Sequence, residues 1–427
     1  MINNHHIIIS PNHLIPFRIF VLFACCFLSF SIFAQNNQVT EEPVKTEIEQ
    51  IQSQVDNIVT EIKKLKKFKI SGYIQVQFEV GQEFAQTKVG SRTNTPFHFG
   101  IRRGRIKFAY EETWGTAVFQ LDITERGIGL KDAYFKVSEP WLKVFSLTAG
   151  IFNRPFGDEI GYSSARRESP ERAVLHQELF PDERDLGAMV TIAAPEGSTV
   201  DGLKLDAGAF CGNGIAIPDD GKMDFIGHLK YDKKWSNITF GIGASIYFGH
   251  VINRDTMNYT IQKNDEGIYK WEGEKVAPFK KNPRQYFGFD AQFAVQTSWG
   301  ISNIRAEAVW GTQTSSSNKI KSPRQDFMQY ANNFNYVHRF WGAHIYYVQD
   351  IYKTPLTIVL KYGYMNPNTK IAQKEIKNKI DLPYHYLGFG LLVRCTANLR
   401  LMCYYDMPFT STPVKERIFT CRLQYKF

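Results

Sequence analysis

Basic side chains recur on alternate residues in Gly100-Ile101-Arg102-Arg103-Gly104-Arg105-Ile106-Lys107-Phe108. In an extended chain, residues two apart share a face. Arg103, Arg105 and Lys107 therefore stand together, opposite Ile106, Phe108 and Tyr110, and Arg102 falls on the other face. The glycines Gly100 and Gly104 interrupt the row, and a bulge at either would reset the facing. A row of fixed cations lowers the barrier for anions and makes or breaks no bond. A second set, Arg166, Arg167 and Arg172, lies among Asp158, Glu159, Glu168, Glu171, Glu178, Asp182 and Glu183. Opposed charges across a narrow passage make a transverse field, which orients dipolar solutes without strong anion choice. Arg103, Arg105, Lys107, Arg166, Arg167 and Arg172 are the candidate anion-binding residues. No enzyme is expected. His98, His176, His228, His250, His338, His344 and His385 adjoin no nucleophile motif, and Gly-x-Ser-x-Gly is absent. Cys211, Cys395, Cys403 and Cys421 lack metal-site spacing, so neither a metal nor a cofactor is expected.

These cations need a wall to hold them, and the sequence reads as one. In the last eleven residues, Phe419, Cys421, Leu423, Tyr425 and Phe427 alternate with Thr420, Arg422, Gln424 and Lys426. That two-residue period is a strand with one apolar and one wet face. A strand of this kind suits a transmembrane barrel, whose last strand must pair with its first to leave no edge. About sixteen such stretches run from Phe68–Val80 to Glu416–Phe427. Short connections alternate with long ones such as Asn153–Arg184 and Gly249–Arg284, as expected for periplasmic turns and outer loops. Asn153–Arg184 mixes its charges with Phe156, Leu175, Leu179 and Phe180. That apolar content predicts a third loop folded into the lumen; an external flap with its own small core is the alternative.

Two segments precede the wall. Residues 1–34 read as a signal peptide, with an apolar run Ile19–Phe33 and small residues at Ser31 and Ala34; a single anchoring helix is the alternative. Residues 35–67 read as a coiled coil, because Val44, Ile48, Ile51, Val55, Ile58, Ile62 and Leu65 follow a strict heptad. β-Branched residues at both core positions favour three or four chains over two. Residues 68–427 form the barrel. The fold expected is thus an all-β transmembrane protein: an antiparallel 16-stranded outer-membrane β-barrel with an inward third loop, preceded by a short periplasmic coiled-coil helix.

Bulk properties agree. Hydrophobic residues are 43% and aromatics 14%, with 33 Phe and 21 Tyr. Mean hydropathy is −0.29, which argues against a helical membrane protein. The formal charge of +9 is spread along the chain and suits a mildly basic pore lining better than nucleic acid.

Several blocks resemble the phosphate- and polyphosphate-selective porin O/P family. They are the arginine-rich run above, Leu130-Lys-Asp132-Ala-Tyr134, Ala149-Gly-Ile-Phe-Asn-Arg154-Pro155-Phe156-Gly157 and Arg184-Asp185-Leu-Gly187. Lys361-Tyr362-Gly-Tyr364-Met-Asn366-Pro367-Asn368-Thr369 and Arg422-Leu-Gln-Tyr-Lys-Phe427 continue the series in order, to the end of the barrel. The resemblance implies a trimeric sixteen-stranded porin with an inward third loop and an amino-terminal coiled coil. It also implies an arginine ladder that selects phosphate. The carboxylates among these arginines make a general or mildly anion-preferring porin for small hydrophilic solutes the expected function. An envelope tether gripped through the coiled coil, or a barrel hydrolase, are the alternatives. The partners expected are two further copies of the chain, outer-membrane lipid and small solutes, phosphate among them.

Overall fold

In the computed structural model the described residues are 41–81, 87–90, 95–216, 221–253, 257–316, 320–322, 335–371, 379–410 and 417–427. The signal peptide expected over 1–34 lies outside them.

The chain divides into two units, one ending at Leu65 and one beginning at Lys66. The first contains one described helix, α1 (Glu41–Lys66), of 26 residues. Its heptad positions Ile48, Ile51, Val55, Ile58, Ile62 and Leu65 are all exposed.

The second unit is a closed antiparallel sheet. Its strands are β1 (Phe68–Gly81), β2 (Phe97–Glu111), β3 (Gly115–Thr124), β4 (Gly127–Ser138), β5 (Phe145–Asn153), β6 (Arg184–Ala193), β7 (Leu203–Phe210), β8 (Asp224–Lys234) and β9 (Ile238–Ile252). They continue as β10 (Met257–Lys263), β11 (Tyr269–Lys275), β12 (Lys281–Thr297), β13 (Gly300–Ser316), β14 (Asn335–Asp350), β15 (Leu356–Asn366), β16 (Tyr384–Arg394), β17 (Leu399–Thr410) and β18 (Ile418–Lys426). Sixteen of these make the wall. β9 pairs directly with β12, from Ile252↔Lys281 to Ile238↔Val295, so the β10–β11 hairpin stands outside it. The long connection expected over Gly249–Arg284 contains this hairpin and extensions of both flanking strands. β1 pairs with β2 on one side and β18 on the other, which leaves no open edge.

The two wall faces invert the pattern of a water-soluble protein. On β1, Tyr73, Gln75, Gln77 and Glu79 are buried inside while Ile70 and Ile74 are exposed outside. On β14, His338, Phe340, His344 and Tyr346 point in, and Trp341 and Ile345 point out. Exposed apolar side chains on every second residue are what lipid contact requires. Trp114, Trp141, Trp235, Trp299 and Tyr352 are exposed in five of the short turns, all at one end of the barrel. An aromatic girdle of this kind marks a membrane–water interface.

The seam between β1 and β18 pairs from Gly81↔Ile418 to Tyr73↔Lys426 and ends on one further rung. Gly72 and Phe427 exchange both main-chain hydrogen bonds, each 3.0 Å. The Phe427 ring covers the space where a side chain at residue 72 would stand. Glycine is required at that position for the ring to lie flat on the wall.

Candidate functional site

The third loop runs from Arg154 to Glu183 and contains two short helices, α2 (Gly157–Gly161) and α3 (Val174–Leu179). It folds into the lumen. Phe156, Ile160, Leu175, Leu179 and Phe180 are at most 1% exposed and form one core with Phe210, Ile226, Tyr247, Tyr286, Val309, Phe340 and Met365. Those seven wall residues lie on seven neighbouring wall strands, β7, β8, β9, β12, β13, β14 and β15, so the inner wall there is an apolar band shaped to receive the loop. Gly157, at φ +61°, sits where a side chain would strike the Glu307 carboxylate. That carboxylate is fully engaged. One oxygen pairs with His176 Nε2 at 2.8 Å and the other accepts from the Glu159 main chain at 3.2 Å. His176, Glu307 and His344 are the group that could geometrically hold a metal among the described residues. With both Glu307 oxygens committed to the loop, we read the cluster as an anchor.

The loop's other edge is polar. Glu171 receives Arg102 Nε at 2.7 Å, Arg103 Nη2 at 2.8 Å and Arg422 Nη2 at 3.3 Å. Burial alone would raise the Glu171 carboxyl; the Arg102, Arg103 and Arg422 guanidiniums outweigh it and hold it well below the usual range. The same balance, with Arg167 as the chief opposing charge, holds the buried Glu159 at about 2. Ser164 meets Tyr73 and Arg105 at 2.6 and 2.9 Å, and Glu168 takes Arg305 at 2.7 Å. Arg400 donates to the carbonyls of Arg166 and Arg167, and Arg422 to that of Pro170.

Beyond these contacts with β2, the loop leaves room on the side of the lumen that runs from Lys107 of β2 to Lys204 of β7. There it borders a cavity of about 380 Å³. Arg105, Lys107, Lys136, Arg172, Arg184 and Lys204 line it, with Asp132, Gln120, Thr148, Thr191 and Tyr162 among them. Most of these cations are answered. Arg105 pairs with Asp122 at 3.3 Å, Arg184 with Asp132 at 3.0 Å and Glu183 at 2.6 Å, and Lys204 with Asp206 at 2.7 Å. Arg172 pairs with Glu183 and donates to the Glu159 and Ile160 carbonyls. Lys107 and Lys136 have no carboxylate partner among the described residues.

The six residues singled out by sequence separate into three groups. Arg105, Lys107 and Arg172 border the cavity. Arg103 and Arg167 are 3% and 1% exposed and hold the loop, Arg103 through Glu171 and Arg167 beside Glu159 at 4.0 Å. Arg166 is exposed, with its guanidinium 5.6 Å from the Tyr162 ring. Arg102 does not fall on the outer face. The register slips between Gln75 and Val76, which pair with Arg103 and Ile101, so Arg102 is the extra residue of a bulge. The bulge turns it inward onto Glu171. Lys136, Arg184 and Lys204 were not singled out. Lys136 shares the inward parity of Asp132 and Tyr134, and that parity was the available signal.

No family model matches the chain, and no curated protein matches it. Solved structures do, and they are general outer-membrane porins. OmpF of Salmonella typhi, in complex with daunomycin, matches at TM-score 0.55 and 10% identity, over 84% of this chain and 97% of that one. The anion-selective porin of Comamonas acidovorans matches at 0.51 and 8% identity, over 84% and 99%. OmpT of Vibrio cholerae, an outer-membrane protein in its trimer form, matches at 0.50 and 9% identity, over 84% and 99%. At these identities the likeness is one of fold: the chain has the barrel architecture of porins.

Proposed function

We propose that this barrel is an outer-membrane porin that passes small hydrophilic solutes by diffusion, with a mild preference for anions. The observation that carries this reading is the pair Lys107 and Lys136, which have no carboxylate partner among the described residues and face a cavity whose other lining cations are paired. Two uncompensated charges in a confined passage bias ion entry. Tight selection of phosphate calls for a denser ladder with fewer carboxylates than Asp122, Asp132, Glu183 and Asp206 supply. Phosphate selectivity is the narrower alternative. The exposed heptad stripe of α1 supports assembly as a homotrimer, with the helix in the periplasm.

Planar-bilayer recording under a salt gradient tests the reading. Currents in triplet steps, an anion-directed reversal potential and no block by low phosphate are expected. Replacing both lysines by glutamine, Lys107→Gln with Lys136→Gln, is expected to bring the reversal potential close to zero. An unchanged potential would refute the role of these lysines, and phosphate block at low concentration would favour the narrower alternative. Absence of channels would overturn the porin itself. Deleting 35–67 is expected to cost trimers and leave conductance.

A further inference from the structure

Two of the thiols face each other. Cys403 on β17 and Cys421 on β18 are directly paired residues, and their sulfurs are 3.8 Å apart. Both lie on the lipid side of the wall, in line with Phe419, Leu423 and Tyr425. Rungs of an antiparallel ladder alternate between hydrogen-bonded and non-bonded pairs. Lys426 N donates to Asn398 O at 2.8 Å, which makes that rung a bonded one. Counting up the ladder, Arg400↔Gln424 and Met402↔Arg422 are bonded, and Cys403↔Cys421 is not. Non-bonded pairs bring Cα atoms to about 4.5 Å. That lies within the range of roughly 4.4–6.8 Å that a disulfide spans without backbone movement.

We propose that Cys403 and Cys421 are a cross-strand disulfide pair, oxidised while the last hairpin forms and before lipid covers that face. The reaction is exchange with a disulfide of a small thiol or of a protein oxidant. One cysteine thiolate attacks a sulfur of that disulfide and releases its first thiol. The second cysteine then attacks the mixed disulfide and releases the other. The Sγ–Sγ bond forms, the oxidant's S–S bond breaks, and both electrons and both protons leave on two free thiols. A slip of β18 by two residues would part the sulfurs, so the bond would record the correct register of the strand that closes the barrel. The oxidising compartment rests on the outer-membrane reading; the pairing rests on geometry alone.

The test is refolding of the full reduced chain from urea into detergent micelles, in a buffer of oxidised and reduced glutathione. Alkylation, digestion and mass spectrometry follow without reductant. The expected product is a peptide joining Cys403 to Cys421, with Cys395 alkylated. Cys395→Ser is expected to give the same link. Alkylation of both Cys403 and Cys421 in the folded barrel, or a link from either to Cys395 or Cys211, would overturn the proposal. Bilayer recording of the same sample keeps the two readings apart. Loss of current would count against the porin and leave the linked peptide as found.

Discussion

The inner wall differs on its two sides, although both are built from the same alternating strands. Along β7–β15 its outer end is apolar and the loop packs against it. From Lys107 on β2 round to β6 it carries Lys107, Gln120, Lys136, Thr148 and Thr191, and a cavity lies between these residues and the loop. Arg103 and Lys107 show how little of this is set by side-chain type. They share a face of β2, four residues apart. Arg103 is locked into a shared carboxylate and anchors the loop; Lys107 has none among the described residues and lines the cavity. What a cation on this face does is decided by whether the loop lies over it.

The strongest test breaks the polar clamp that ties the loop to β2 and β18. Glu171→Gln leaves Arg102, Arg103 and Arg422 crowded with no shared anion. Removing one member of a buried charge cluster costs about 3–5 kcal/mol. The loop edge is expected to detach, seen as a lower unfolding temperature and noisy single-channel currents; an unchanged melt would show that the clamp does not hold the loop. Phe156→Ala removes the loop's apolar anchor at a cost of roughly 3–5 kcal/mol if the site cannot collapse. Its control on the open side, Thr148→Ala, is expected to change stability by less than about 1 kcal/mol. Equal effects in thermal unfolding would erase the distinction between the two sides.

Acid should separate them next. The carboxyls of Glu159 and Glu171 are depressed in the folded chain. Their contribution is therefore complete above the ordinary value of 4.5 and is lost as pH falls towards about 2. Conductance is expected to be steady from neutral pH to about 5 and to become unstable between about 4.5 and 2, where the loop loses its anchors. Gating near neutral pH would mean that other groups hold the loop. The smallest effect is expected at Arg166. It is exposed and holds no carboxylate among the described residues, so Arg166→Gln should leave stability within about 0.5 kcal/mol and the reversal potential unmoved. A shift in potential would extend the conducting side to the tip of the loop.

The wall was legible because lipid enforces alternation on every strand, as Ile70 to Val80 show. The inward loop was legible from Phe156, Leu175 and Phe180, apolar residues that a solvated loop does not need. The side on which it docks was not read, although a signal existed. Strands facing the loop are apolar on both faces at their outer ends, as in Ile246-Tyr247-Phe248 and Tyr286-Phe287. The division of the six candidate cations was not legible. It depends on which carboxylates the loop carries to them, and pairings such as Arg103 with Glu171 are tertiary facts. The facing of Arg102 depended on one bulge, which parity alone does not locate.

The rung between Gly72 and Phe427 joins residues near opposite ends of the wall's sequence. Closing it costs the entropy of a loop that contains almost the entire barrel. Every other pair of wall strands can zip outward from a nearer connection, but the β1–β18 ladder that this rung ends waits for all of them. Insertion should therefore be late-closing. An unfinished barrel would carry two live edges, β1 and whichever strand came last, and both would be open to strands of other chains. The time spent in that state, more than the stability of the finished wall, would set how often the chain aggregates on its way to the membrane.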